Sequence, residues 1–287
     1  MQKPTVKEFF DTSTWTLSYI VFDPTTKDAV IIDPVWDYDA ASSKVSSQST
    51  DKIVSFIKES QLKVHYILET HAHADHITGS QVLKKQLPGA MVGIGAPIIA
   101  VQKVFKDVFN LDENFKTDGS QFDLLLEEGV PLQAGSLRVE TLYTPGHTPA
   151  CATFVIGDSV FTGDALFMPD YGTGRCDFPS GSSEDLYDSV YKKIYALPDQ
   201  YRVFVGHDYL PNQRPLAFES TIEEEKKRNI QLNIETKKAD FVELRNKRDR
   251  SLAAPKLLFP SVQININAGC LPTPDNKGTR YLKIPIR

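Results

Sequence analysis

The sequence predicts an α/β fold on three observations. Short runs rich in β-branched and aromatic residues alternate with segments of helical periodicity. The histidine-bearing polar segments follow the strand-like runs, where α/β folds commonly place their chemistry. No repeat, low-complexity stretch or linker breaks the order. A single domain over residues 1–287 is therefore expected, with a helical and extended tail from about residue 221.

Composition narrows the class. The chain is 41% apolar and 24% charged, enough for a substantial core, and its net charge of −5 argues against nucleic acid as the main partner. No apolar run approaches the roughly 18 residues of a membrane span, and MQKPTVKEFF lacks the apolar region of a signal peptide. Three separated cysteines without a CxxC spacing suggest a reducing compartment, so a soluble cytoplasmic protein is expected. The sequence leaves the oligomeric state open, a homo-oligomer included.

Taken in order, residues 14–22 and 29–34 read as an antiparallel strand pair around the Asp23-Pro24 turn, the second strand ending in the carboxylate of Asp33. Residues 42–50 read as a serine-rich loop. A helix follows near 51–60, with Ile53, Val54 and Ile57 on one face. The strand 64–69 delivers His71-Ala72-His73-Ala74-Asp75-His76, and a helix over 80–87 stops at Pro88-Gly89. His65, inside that strand, reads as a core or hydrogen-bonded histidine. Strands are expected at 91–94, 137–143, 151–156, 159–161 and 202–205. Helices are expected at 101–110 and from the capping-box-like Ser182 to about 196, with an irregular excursion over 112–121.

In the tail, acids precede bases along 221–228, which suits the helix dipole, and a second charged helix spans 238–250 with Phe241, Leu244 and Leu252 as packing points. Residues 255–287 read as turn-rich, with a β-like end at 281–286.

The chemistry gathers at strand ends. His71, His73, Asp75 and His76 lie after one strand, His147 after the next, then Asp164, then His207, so five of the six histidines occupy such loops. Neutral imidazoles and carboxylates suit zinc or iron, and a metal cavity at one sheet edge is the expectation.

The ordered set HxHxDH, PGHT, GDAL and GHDY resembles the metallo-β-lactamase superfamily over nearly the whole chain. That resemblance implies an αββα sandwich with the metal site along one edge of its two sheets. In the superfamily's dinuclear hydrolases it implies His71, His73 and His147 on one metal, Asp75, His76 and His207 on the second, and Asp164 between them. The flanks HAHADHITGS, GTGRCDF and VGHDY, with the PDYGTGRCDFP run and the YLKIPI end, are more similar to the persulfide (sulfur) dioxygenases, specifically bacterial members without a rhodanese domain. The glyoxalase II branch instead carries GHEYT-like and GRFFEG-like runs.

The dioxygenase resemblance implies one Fe(II) per chain on His71, His147 and Asp164, with His73, Asp75, His76 and His207 around it. Its implied substrates are glutathione persulfide or a related low-molecular-weight persulfide and O2. The alternative is a glyoxalase II-type hydrolase with one or two Zn2+, acting on a glutathione thioester. Arg175 is implied as a carboxylate contact for glutathione and Tyr209 as a phenolic donor. Where relatives offer a further arginine, this chain has Asn229-Ile230-Gln231. Cys151, Cys176 and Cys270 read as small, semi-buried residues.

Overall fold

The structure, a computed structural model, describes residues 3–286; Met1, Gln2 and Arg287 of the expected 1–287 domain, and so the first two residues of the MQKPTVKEFF opening, lie outside the described residues. The chain begins with strands β1 (Thr5–Asp11), β2 (Thr16–Phe22) and β3 (Asp28–Ile32), then the hairpin β4 (Val35–Asp39) and β5 (Lys44–Ser46) and helix α1 (Gln48–Glu59). Next come β6 (Lys63–Glu69), β7 (Ile77–Thr78), α2 (Ser80–Gln86), β8 (Met91–Gly95), α3 (Ile98–Val108) and β9 (Leu124–Leu126). The second half carries β10 (Leu132–Ala134), β11 (Leu137–Tyr143), β12 (Ala152–Ile156), β13 (Ser159–Phe161) and α4 (Ser183–Ser189), which continues through a π-turn at Val190–Ile194. β14 (Arg202–Phe204), β15 (Glu219–Thr221), α5 (Ile222–Arg228), α6 (Lys238–Asp249) and α7 (Leu258–Asn265) complete it.

Two six-stranded sheets result, ordered β1-β2-β3-β6-β8-β9 and β10-β11-β12-β13-β14-β15. Their packing follows from alternation along the strands. In β2, Leu17, Tyr19 and Val21 face the core shared with the second sheet, while Ile20 and Phe22 face α1, α2, α3 and α7. In β12, Ala152, Phe154 and Ile156 close the shared core, and α4, α5 and α6 supply Leu186, Ile222 and Phe241 to it. This is the helix–sheet–sheet–helix arrangement expected. The Tyr19 hydroxyl donates to the Val205 carbonyl at 2.7 Å, joining the sheets, and its ring meets Phe161 and Phe204 edge-on.

Most expected elements form within a few residues. Ser182 caps α4 by accepting from the Asp185 N–H, and Thr221 caps α5 through the Glu224 N–H. Four expectations fail. The 42–50 loop contains β5 and the first turn of α1, because β5 pairs with β4, which in turn pairs with β7. Residues 281–286 are not a strand: with no partner strand a β-like pattern is only extended chain, and Tyr281, Ile284 and Ile286 are exposed. The turn-rich reading missed α7, whose Pro260 sits in the first turn, where its missing N–H has no intrahelical role. Leu244 and Leu252 do not pack inward. The buried stripe of α6 is Phe241, Arg245 and Asp249, because the surface it covers offers loop carbonyls and N–H groups as well as apolar atoms.

No helix among the described residues is long and apolar enough to cross a membrane.

Candidate metal centre

Strands β6, β11, β13 and β14 end at one edge of the sandwich, and the loops after them carry the candidate ligands. Backbone bonds stitch the two sheets there: Ala152 N–H to the Thr70 carbonyl at 2.8 Å, and Leu17 N–H to the Gly206 carbonyl at 2.9 Å. The edge also holds two non-glycine residues in the left-handed region, Trp15 (φ 61°) and Asp33 (φ 48°). Such a conformation costs on the order of 1 kcal/mol or more, and here it aims polar groups at the site. Asp33 accepts from the Thr70 N–H and hydroxyl, both at 2.7 Å. The Trp15 carbonyl accepts from His207 Nδ1–H at 3.2 Å.

The structure gathers His71, His147 and Asp164, all buried, with one potential ligand atom of each within 4.8 Å of the others. His73, Asp75 and His76 form a second such group, and His73 also groups with Asp33 and Glu69. His207 joins none of these groups, but its Nε2 stands 3.3 Å from Asp164 Oδ1 and 3.4 Å from Asp75 Oδ2. All seven residues singled out from the sequence thus line one locus.

Tautomers follow from the partners. His147 Nδ1–H donates to the Arg175 carbonyl at 2.6 Å, which turns Nε2 toward the site, 3.5 Å from Asp164 Oδ2. His71 Nδ1 pairs with the Thr70 hydroxyl at 3.0 Å. Its Nε2 is buried without a hydrogen-bond partner, as are Asp164 Oδ1, His73 Nδ1 and His76 Nε2. Buried polar atoms left unpaired cost about 1–3 kcal/mol each, and four converging on one locus fit a metal cation. The set of nitrogen and carboxylate donors suits zinc or iron equally.

Electrostatics divide the histidines. Burial, reinforced by His73 and His147, pushes the His71 imidazole well below its ordinary value, which keeps it neutral as a ligand must be. Burial also opposes charge on His73, yet Asp33 at 3.0 Å and Glu69 at 3.5 Å hold it well above normal. His207 is likewise lifted, to about 9, because Asp164 and Asp75 outweigh its burial. Asp164 is buried but held low by His207, then His147 and His71.

A cavity of about 920 Å3 opens over the site, a size that admits a tripeptide-scale ligand. Asp75, His76, His147 and Asp164 lie on its floor, and Trp15, Trp36, Tyr38 and Tyr209 are among its walls. The Tyr209 ring stacks on His207, with 5.4 Å between centroids, and its hydroxyl makes no hydrogen bond among the described residues. Arg175 also lines the cavity, but its fork is engaged: Nε and Nη2 meet Asp177 at 2.5 and 2.6 Å, and Nη1 donates to the Ala253 carbonyl at 2.7 Å. Lys44 and Lys256, two lining cations the sequence did not single out, make no ion pair among the described residues.

Sequence reasoning missed the outer partners. Asp33 was visible as a carboxylate at a strand end, but Thr70, Glu69 and Asn265 carried no signal, since their roles depend on contacts across the fold. Cys151 and Cys176 are buried and Cys270 is exposed, against the semi-buried expectation. Burial raises the Cys151 thiol to about 12, so it is no nucleophile. His65 bonds Asp28 at 2.6 Å, away from the ligand loops.

Comparison with known proteins decides the family. The model of the metallo-beta-lactamase superfamily matches residues 16–207, which contain every candidate ligand. The chain belongs to the metallo-β-lactamase superfamily. It is 45% identical over 285 residues, 99% of this chain and 97% of the relative, to a Dictyostelium discoideum protein named glyoxylase B2. It is 33% identical over 266 residues, 92% of this chain and 88% of the relative, to the mitochondrial persulfide dioxygenase ETHE1 of Bos taurus. The crystal structure of ETHE1 from Myxococcus xanthus superposes with a TM-score of 0.73 at 29% identity, covering 93% of this chain and all of that one. The superfamily is one of enzymes, and the grouped donors here support a metal cofactor.

Proposed function

We propose that this superfamily member is a persulfide dioxygenase with one Fe(II) held by His71, His147 and Asp164. The observation that carries the reading is the composition of the group His71, His147 and Asp164: two histidine nitrogens and one carboxylate, buried, with His71 Nε2 and Asp164 Oδ1 making no hydrogen bond. Two histidines and a carboxylate on one face leave positions open for two further ligands. Fe(II) held by these residues would supply the redox chemistry between a persulfide sulfur and O2.

In this reading glutathione persulfide, O2 and water give glutathione and sulfite; the outer sulfur loses four electrons, and both oxygen atoms of O2 are reduced. The chain's residues bind and orient. The Arg175 carbonyl and Thr70 hydroxyl fix the two ligand rings. His207, between Asp75 and Asp164, holds a proton beside the reacting centre. Tyr209 offers its hydroxyl to the substrate, and Trp15, Trp36 and Tyr38 give the cavity an aromatic lining against which the thiol carrier packs.

Iron loading followed by oxygen consumption tests the reading. Protein purified without oxygen should carry about one iron per chain and form one sulfite per O2 consumed from glutathione persulfide. Two zinc ions, thioester hydrolysis and no oxygen uptake would overturn it. Those outcomes define the second reading, a glyoxalase II-type hydrolase. It is favoured by the second group of potential ligands, His73, Asp75 and His76, and by the relative named glyoxylase B2.

The thiol carrier's carboxylates need cations. Arg175→Ala should raise KM for glutathione persulfide several-fold with kcat little changed, and Lys256→Ala should do the same more weakly. An unchanged KM in Arg175→Ala would leave its guanidinium only the task of tying Asp177 to residue 253, with Lys44 and Lys256 as the remaining cations.

A further inference from the structure

We infer that helices α6 and α7 are working parts of the metal centre, with Asn265 and the Arg245–Asp249 pair as positioning residues for its ligands. The inference rests on the metal site proposed above but not on dioxygenation. Both helices lie beyond residue 207, where the superfamily match ends.

Asn265, at the end of α7, is 4% exposed and uses its whole side-chain amide on the ligand loop. Nδ2 donates to the carbonyls of His73 and His76, both at 2.8 Å, and Oδ1 accepts from the Thr78 N–H at 2.9 Å. These three backbone groups belong to a segment with little regular structure of its own, so their partner must come from elsewhere. Two donors and an acceptor on one short side chain are what an amide offers; a carboxylate lacks the donors. The clamp straddles Asp75 and holds the course of the loop that opens with the ligand His71, two residues before the first clamped carbonyl.

On the other side, Arg245 is 1% exposed and bonds Asp249 Oδ1 at 2.6 and 3.0 Å. Its Nη1 donates to the Thr173 carbonyl at 3.2 Å, and Asp249 Oδ2 accepts from the Cys176 N–H at 2.8 Å. Between those anchor points lies Arg175, whose carbonyl holds His147 Nδ1–H. The ion pair therefore sets the 173–176 backbone, and that backbone sets the His147 ring. A buried ion pair adds little stability over apolar residues, so its bonds to this loop are the more informative property. Outer partners of metal ligands typically change metal affinity 10–100-fold when removed.

The test uses the full-length chain and two readouts: Fe(II) and Zn(II) affinity by chelator competition without oxygen, and Tm with and without metal. Asn265→Ala should weaken both metals at least about tenfold and shrink the metal-induced rise in Tm. The double variant Arg245→Met/Asp249→Leu, which removes both buried charges together, should do likewise. The control is Gln263→Ala on α7, whose amide bonds Phe259 and Lys283 away from the ligand loop. It should lower both Tm values equally and leave affinity unchanged. If Asn265→Ala does not fold, Asn265→Asp carries the same expectation, since it keeps the size and loses both donors. Wild-type affinity in the Asn265 variant, or equal weakening in Gln263→Ala, would make the helices ordinary packing. The Zn(II) arm reads the metal site even if no persulfide is oxidised.

Discussion

Asp164→Ala is expected to leave less than about a tenth of wild-type iron in the purified protein and to abolish oxygen consumption. Asp164 supplies the only carboxylate of the group it forms with His71 and His147, and it faces His147 Nε2 at 3.5 Å and His207 Nε2 at 3.3 Å. Without it His71 and His147 lose the anionic donor that completes their group, and a divalent cation there is left with two imidazoles. His207→Ala should retain most of the iron, because His207 belongs to no donor group and touches the site through Asp164 and Asp75. Metal analysis of both variants decides the matter. Equal iron loss in the two would make His207 a ligand and sink the mononuclear assignment.

Gly146→Ala should be among the most damaging single-methyl changes at the site. Gly146 has φ +144°, and an added Cβ would stand 2.4 Å from Cα and Cβ of Leu186 and 2.5 Å from its N. Those are largely backbone atoms of α4, so no side-chain rotation relieves the clash, and α4 is tied here through the Ser182 N–H to the Gly146 carbonyl at 2.8 Å. Overpacking and the unfavourable backbone region together should cost roughly 2–4 kcal/mol. His147 is the next residue, so metal affinity should fall as well. Denaturant unfolding and metal titration measure the two effects. A variant with wild-type midpoint and affinity would show that α4 moves freely, against the contacts described.

The site was far more legible than its support. The HAHADH run after β6 and the single histidines and aspartate after later strands announced themselves by residue type and by place, and the fold brings all seven together. Strand alternation and end signals located most elements, because those are local properties of the chain. Arg175 showed only as a cation of the right type; that Asp177 engages its fork could not be read from spacing. In the tail, Leu244 looked like core and Arg245 like surface. The reverse holds, because Arg245 meets the Thr173 carbonyl, the Gln231 side-chain oxygen and the Asp249 carboxylate there.

By itself, then, the sequence determined the α/β class, the chemistry of the donor set and the order in which strands deliver it, since each depends on residues near one another in the chain. Tertiary structure alone decided which donors group together, that His71 is pushed toward neutrality while His73 and His207 are lifted, and what holds them. Those depend on burial and on partners such as Asp33 and Asn265, which lie some 40 and nearly 200 residues from the histidines whose surroundings they set.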